Sequence, residues 1–139
     1  KNKEKVRQKS KEYRERNKEK IAEYWRKREA ENPVVKFRRR IRAIISKSFS
    51  RREYSKTYHT EEILGCTFEE LQKYLEQTWE NNYGTSYNGE EVHIDHIIPL
   101  AEAKTEEDVI KLCHYTNLQY LKPEDNLAKR SKIDWNITT

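Results

Sequence analysis

Asp95 and His96 stand side by side, Asn117 follows, and Asn126 comes nine positions after Asn117. A carboxylate, an imidazole and two carboxamides are side chains that phosphodiester hydrolysis can use. That reaction needs an activated water, a sink for the charge developing on phosphorus, and help for the leaving oxygen. A neutral imidazole suits the first task, because its unperturbed pKa of about 6.5 lies near working pH. One hard divalent cation can meet the other two, and it prefers oxygen ligands such as an Asp carboxylate and an Asn carbonyl. The residue types therefore match a one-metal nuclease. Types alone do not make a site; the elements that carry them must bring them together.

Asp95 and His96 lie within EEVHIDHIIPL, residues 90–100. Val92, Ile94, Ile97, Ile98 and Leu100 make this an apolar run, with Pro99 near its end, and it reads as a strand over 91–98. Burying ionisable groups there without partners costs roughly 1–3 kcal/mol or more. These side chains are either satisfied by neighbours and inert, or aimed at something. NLQYL, residues 117–121, reads as a second short strand. In KPEDNLAKRSKI, Pro123 at a first helical position with Glu124 and Asp125 in the first turn marks a helix start. So His96 ends one strand, Asn117 begins another, and Asn126 sits in the first turn of the helix after it.

The rest of this half supplies support. Thr60 is placed to cap a short turn ending at Gly65. Thr67 with Glu70 three residues later forms a capping box, and Phe68, Leu71, Leu75 and Trp79 give the helix after it one apolar face. A further helix, opened by Thr105 and Asp108, carries Val109, Ile110 and Leu112.

Charge divides the chain. Residues 1–52 hold 21 Lys and Arg against 7 Asp and Glu, whereas residues 53–139 hold 8 against 17. A basic arm (1–52) therefore precedes an acidic body (53–139). The arm carries a weak repeat, with NKEKV, NKEKI and NPVVK each starting 15 residues apart. Residues 3–31 read as one long helix or two short ones, polar nearly all round, with little reason to pack on their own domain. Such a segment is either a solvated helix or a nucleic-acid arm whose cations release counterions from phosphates. After Pro33, residues Val34, Phe37, Ile41, Ile44, Ile45 and Phe49 recur at helical spacing, while Arg38, Arg39, Arg40 and Arg42 load the other faces and are expected to contact DNA. This amphipathic basic helix is expected to dock its apolar stripe on the acidic body.

No apolar run approaches the roughly 18–20 residues of a membrane span, and no signal-peptide pattern opens the chain. Met is absent and the first residue is Lys1, so the sequence is expected to be a piece of a longer one. Cys66 and Cys113 lack CxxC spacing. That argues against a disulfide framework and fits a reducing cytosol.

IDHIIPL, HYTNLQYLKPEDNLAKRSK and the spacing between them resemble an HNH endonuclease of the His-Me finger, or ββα-metal, superfamily, in particular the small HNH proteins encoded by bacteriophages. The likeness covers roughly residues 60–133. It extends to the HNH domain of RNA-guided CRISPR nucleases, where the middle and last Asn are also nine apart. The resemblance implies an α+β, mostly helical fold with a ββα-metal core at about 91–133, flanking helices and an extended basic helical arm. It implies that Asp95 binds metal, His96 deprotonates the attacking water, Asn117 braces the loop between the strands, and Asn126 is the second protein ligand. Asn at that last position favours Mg²⁺ or Mn²⁺ over Zn²⁺ on ligand hardness. Strict alternation would put Asp95 and His96 on opposite faces, so this reading expects the strand to break at that pair.

His93 shares the strand face of Asp95 and is either a further metal or phosphate contact or, more commonly for such a histidine, a packing residue. Cys113 and His114, at a helix end, read as structural, and the cysteines and histidines lack the spacing of a structural zinc site. Lys129, Arg130 and Lys132 follow Asn126 and are expected to contact phosphate, with Lys104 a weaker candidate. Double-stranded DNA is the expected partner, joined by a second copy or a phage protein, in the cytoplasm of a bacterial host. The competing expectation is a DNA-binding or assembly module that keeps an HNH-like scaffold with little or no catalysis.

Overall fold

The computed structural model describes residues 1–137. It is α+β and mostly helical, with a two-stranded antiparallel sheet among the described residues. The chain divides into two compact units after Arg40.

The first unit contains α1 (Asn2–Arg16), α2 (Lys18–Glu31) and the opening turns of α3 (Pro33–Ser50). Neither α1 nor α2 has a buried residue, as their sparse apolar positions dictate. They separate at Asn17, whose backbone and side-chain nitrogens both donate to the Tyr13 carbonyl. Asn32 is extended, φ −144° and ψ 102°, because the ring of Pro33 disfavours the helical region for the residue before it. The Arg39 guanidinium stacks 4.2 Å from the Trp25 ring centroid and pairs with Glu29.

The second unit begins inside α3, whose Ile41, Ile45 and Phe49 are almost fully buried. The charge change at 52/53 therefore falls later than the division between units, because the last turns of α3 bury their apolar stripe. Next come α4 (Thr60–Leu64) and α5 (Phe68–Tyr83). His59, not Thr60, is the N-cap of α4; Thr60 is its first residue, buried, with its hydroxyl accepting from Lys56. The capping box of Thr67 and Glu70 is formed at the start of α5.

The sheet pairs β1 (His93–His96) with β2 (Leu118–Leu121). Both strands are shorter than the sequence suggests, since the chain bends after His96 and a 3₁₀ turn takes Tyr115–Asn117. Between them lies α6 (Glu106–Leu112), opened by the capping box of Thr105 and Asp108. After β2 comes α7 (Pro123–Lys129), with Pro at its first position. α5 covers one side of β2: Thr78 Oγ1 accepts from Tyr120 N at 3.0 Å, and Asn82 donates to the Tyr120 carbonyl. Leu64, Leu71, Leu75, Val109, Cys113, Leu118 and Leu121 fill the core. No helix among the described residues is long and apolar enough to cross a membrane.

Gly65 ends α4 at φ 76°, and a Cβ there would stand 2.5 Å from His114 Nε2. The His114 ring has little freedom to retreat: its Nδ1 bonds Thr116 Oγ1 at 2.8 Å. Gly65→Ala is expected to destabilise the fold by about 2–4 kcal/mol, combining left-handed strain with overpacking. Urea unfolding checks this, and a loss under 1 kcal/mol would show that the ring moves freely.

Candidate functional site

The antiparallel register sets Asp95 opposite Gln119 and His96 opposite Leu118. Side chains on one face of such a pair lie close enough to bond, and Gln119 Nε2 donates to Asp95 Oδ2 at 2.9 Å. α7 lies over this face. Its Lys129 Nζ is 3.2 Å from Asp95 Oδ2 and 3.4 Å from Oδ1, and donates to the His96 carbonyl at 3.0 Å. Asp95 is 8% exposed and Lys129 2%. Burial raises the Asp95 carboxyl above the ordinary carboxylate range, opposed by the Gln119 amide and the Lys129 ammonium.

One turn before Lys129 on α7, the Asn126 carboxamide meets His93 Nδ1 at 3.0 Å. His93 and Asp95 are two apart on β1 and share its face. Asp95, His93, Asn126 and Lys129 thus form one polar cluster between the strand and the helix.

His96 leaves the strand on the other face. Its Nε2 is 3.8 Å from Cys113 Sγ, at the end of α6. Ser48 Oγ donates to the Ile44 carbonyl at 2.8 Å and also lies in hydrogen-bond contact with the Cys113 thiol, where it opposes the rise that burial imposes. In the tautomer protonated at Nε2, the ring donates to the sulfur and Nδ1 keeps its lone pair. Burial and the Lys129 charge lower the His96 pKa to about 4, so the ring is neutral at pH 7. Cys113 is pushed up to about 11 by burial and is no thiolate nucleophile at that pH.

The His96 shift has a consequence for stability. Below pH 6.5 the unfolded chain takes up the proton that folded His96 refuses until about pH 4. Stability is therefore full above pH 6.5 and falls as pH drops through that window, by on the order of 2–3 kcal/mol. Asp95 acts with the opposite sign, since its raised pKa favours the folded state as acid is added. It remains in His96→Gln, so the difference between the two proteins isolates His96. The variant's melting temperature is expected to fall less than the wild type's between pH 6.5 and 4. Parallel curves would contradict the burial of a neutral ring.

Asn117 ties down the segment after His96. Its backbone oxygen accepts from Ile97 N at 2.8 Å, and its Oδ1 accepts from Ile98 N at 2.8 Å. Its Nδ2 donates to the Ile98 and Leu112 carbonyls at 3.0 and 2.8 Å. A carboxamide satisfies both donor and acceptor needs at once, which is why this site takes Asn. Asn117→Ala is expected to cost about 2–4 kcal/mol, because it orphans three backbone groups near the core. An unfolding midpoint within 0.5 kcal/mol of wild type, converted through the urea slope, would remove the bracing role.

Two expectations need correction. The strand does not break at Asp95–His96: pairing runs through both residues, and Ile97 N still reaches the Asn117 carbonyl. The two side chains consequently take opposite faces, as alternation dictates. Lys129 is not a phosphate contact in this structure, because its ammonium is buried against Asp95. Arg130 and Lys132 are exposed just beyond α7, and Lys104 is exposed while its backbone nitrogen donates to Asp108. Of the arginines, Arg40 and Arg42 are exposed and Arg38 is half-buried. Arg39 is committed to Trp25 and Glu29, and the Arg42 guanidinium lies 5.1 Å from the Phe68 ring centroid.

Asp95 and Asn126 offer oxygens and His93 a nitrogen, a donor set that suits Mg²⁺ or Mn²⁺ in kind. Among the described residues no three His, Cys, Asp or Glu side chains are grouped to hold a metal. The Asp95 pole of the set is taken by an ammonium group. A cation fits these donors only if Lys129 moves away.

A cleft of about 1010 Å³ lies elsewhere, lined by Trp79, Tyr83, Glu90, Glu91, Glu124 and Asp125 among others. None of Asp95, His96, Asn117 or Asn126 lines it, and its four carboxylates would repel a polyanion.

Sequence reasoning missed Gln119, Arg52 and the true partner of Lys129. Gln119 is polar on a strand whose two following residues are apolar, and pairing it with Asp95 required the register. Lys129 follows Asn126 by three, which places the two on one helix face. Arg52 donates to the Leu100 and Ala103 carbonyls and anchors the turn after Pro99; no local pattern marks it. Comparison with protein-family models, curated proteins and solved structures finds no match to this chain.

Proposed function

We propose that the chain is a metal-dependent DNA endonuclease of the His-Me finger class that hydrolyses phosphodiester bonds and nicks one strand per site. In this reading β1, β2 and α7 are its ββα-metal core, and the reducing cytosol of a bacterial host is where it works. The observation that carries it is His96: a neutral imidazole at the end of a strand, with its Nε2 3.8 Å from Cys113 Sγ. Beside it, across the strand, stands a buried carboxylate with a carboxamide and a second imidazole.

His96 Nδ1 accepts a proton from water, and the oxygen attacks phosphorus. The bond from phosphorus to the 3′ oxygen breaks with its electron pair on that oxygen, which takes a proton from solvent water, while the proton held by His96 returns to solvent. The products are a 5′-phosphate and a 3′-hydroxyl. Mg²⁺ or Mn²⁺ at Asp95 and Asn126 would neutralise charge on the phosphate and stabilise the departing oxygen. Asn117 keeps the segment after His96 from moving the ring. Arg130 and Lys132 supply phosphate contacts, and the arm with Arg38, Arg40 and Arg42 supplies sequence-independent grip on double-stranded DNA.

Two observations favour a second reading, a DNA-binding or assembly module without catalysis. Asp95 and His96 face opposite sides of β1, so a cation at Asp95 and a water at His96 meet at one phosphate only if the end of the strand turns. Lys129 already neutralises Asp95, as it would in a scaffold that no longer takes a cation.

End-labelled duplex incubated with the chain and Mg²⁺ separates the two. Nicks that DNA ligase reseals directly support the nuclease. Binding without nicking, or nicks ending in 3′-phosphate, contradicts it.

A further inference from the structure

We infer that Lys129 is a built-in counter-ion that must leave Asp95 before a divalent cation can bind there, and that once released it is free to reach a phosphate. The inference rests on the nuclease reading and adds a regulation of the same site.

An ammonium has three N–H donors and no acceptor. Lys129 spends them on Asp95 Oδ1 and Oδ2 and the His96 carbonyl. At 2% exposure it has no share of solvent. A buried carboxylate cannot be left without a counter-charge, so the pair is stable while no cation is present. A second positive centre cannot join it. One carboxylate carries one negative charge, and a divalent ion within contact distance of an ammonium meets strong like-charge repulsion. Occupancy is therefore an exchange, with one cation arriving as the other departs.

The local backbone provides a way out. Lys129 is the last residue of α7, and Arg130 follows at φ 52° and ψ −127°, a left-handed φ that disfavours a residue with a Cβ. The turn is closed by Arg130 N to the Asn126 carbonyl at 3.2 Å and Lys132 N to the Lys129 carbonyl at 3.1 Å. A strained helix terminus is the part of α7 that opens at least cost. When Lys129 leaves, its charge joins those of Arg130 and Lys132, just past Asn126. Cation loading then adds a phosphate contact in the same event, and a site without a divalent cation stays closed around its own lysine.

The test is reductive methylation of the wild-type chain with formaldehyde and borohydride, read by peptide mass spectrometry in EDTA and in saturating Mn²⁺. Mn²⁺ occupancy is followed separately by electron paramagnetic resonance on wild type, Asp95→Asn and Lys129→Met. The expected result is that Lys129 is protected in EDTA and is modified at the rate of exposed lysines in Mn²⁺. Lys129→Met should bind Mn²⁺ at least roughly tenfold more tightly, since like charges held together cost several kcal/mol. Lys129 staying protected while wild type binds Mn²⁺ at a site lost in Asp95→Asn would overturn the exchange and leave the nuclease reading standing. Equal Mn²⁺ affinity of wild type and Lys129→Met would do the same. Absence of any Mn²⁺ site that depends on Asp95 would overturn both. The methylation result decides in the wild type even if Lys129→Met does not fold.

Discussion

His96→Ala is expected to slow strand cleavage by roughly 10²–10⁴-fold, the usual cost of losing a general base, with DNA affinity nearly unchanged. The ring is half-buried, and its position owes more to its neighbours than they owe to it. Cys113 and Asn117 belong to the core and to the turn, respectively, and both stay when the imidazole is removed. Single-turnover cleavage of a labelled duplex gives the rate, and fluorescence anisotropy in EDTA gives the affinity. A rate within threefold of wild type would sink the assignment of His96 as base. A parallel loss of affinity would make it a binding residue instead.

Lys129→Met is expected to lower stability by about 3–5 kcal/mol at pH 7, because it strands Asp95 as a buried charge without its partner. The loss should shrink as pH falls. Without the ammonium, the Asp95 carboxyl rises further above its unfolded value. The folded state then binds a proton that the unfolded state does not, and folding gains as acid is added. Replacing both partners, Asp95→Leu with Lys129→Met, should recover most of the stability, since an apolar pair of similar volume avoids desolvating two charges. Urea unfolding of wild type, Lys129→Met, Asp95→Leu and the double variant at pH 5 and 7 measures all of this. A single variant as stable as wild type would show that the pair is open to water.

What could be read from the sequence follows from how local each signal is. The capping boxes at Thr67 and Thr105, Pro123 at the start of α7 and the apolar face of α5 are all set within one turn of helix. All of them are formed. The polar faces of α1 and α2 likewise dictate that neither helix buries a residue. Local pattern places His96, Asn117 and Asn126 at a strand end, a strand start and a first helical turn; His96 and Asn126 lie there, and Asn117 does not. Asn117 lies in a 3₁₀ turn just before β2, because its side chain is engaged with Ile98 and Leu112. Asn126 faces His93, a residue whose role spacing alone left open.

The remainder depended on register and on packing between distant segments. Gln119 meets Asp95 only because β1 and β2 pair at that register. Lys129 looked like one more cation in a basic stretch, and its burial is decided by α7 lying over the Asp95 face of the sheet. The opposite facing of Asp95 and His96 was legible from alternation alone. The continuity of pairing past His96, held by Ile97 and Asn117, decided the matter. Arg52 joins residues some fifty positions apart and leaves no pattern in the chain.

The most direct test of the nuclease proposal is conversion of supercoiled plasmid to open circle by the wild-type chain, in Mg²⁺ and in EDTA. Open circles in Mg²⁺, none in EDTA and no direct passage to linear DNA are the expected result. Plasmid that stays supercoiled in both Mg²⁺ and Mn²⁺, while the chain binds it, would contradict a cation-dependent nuclease and leave a DNA-binding module.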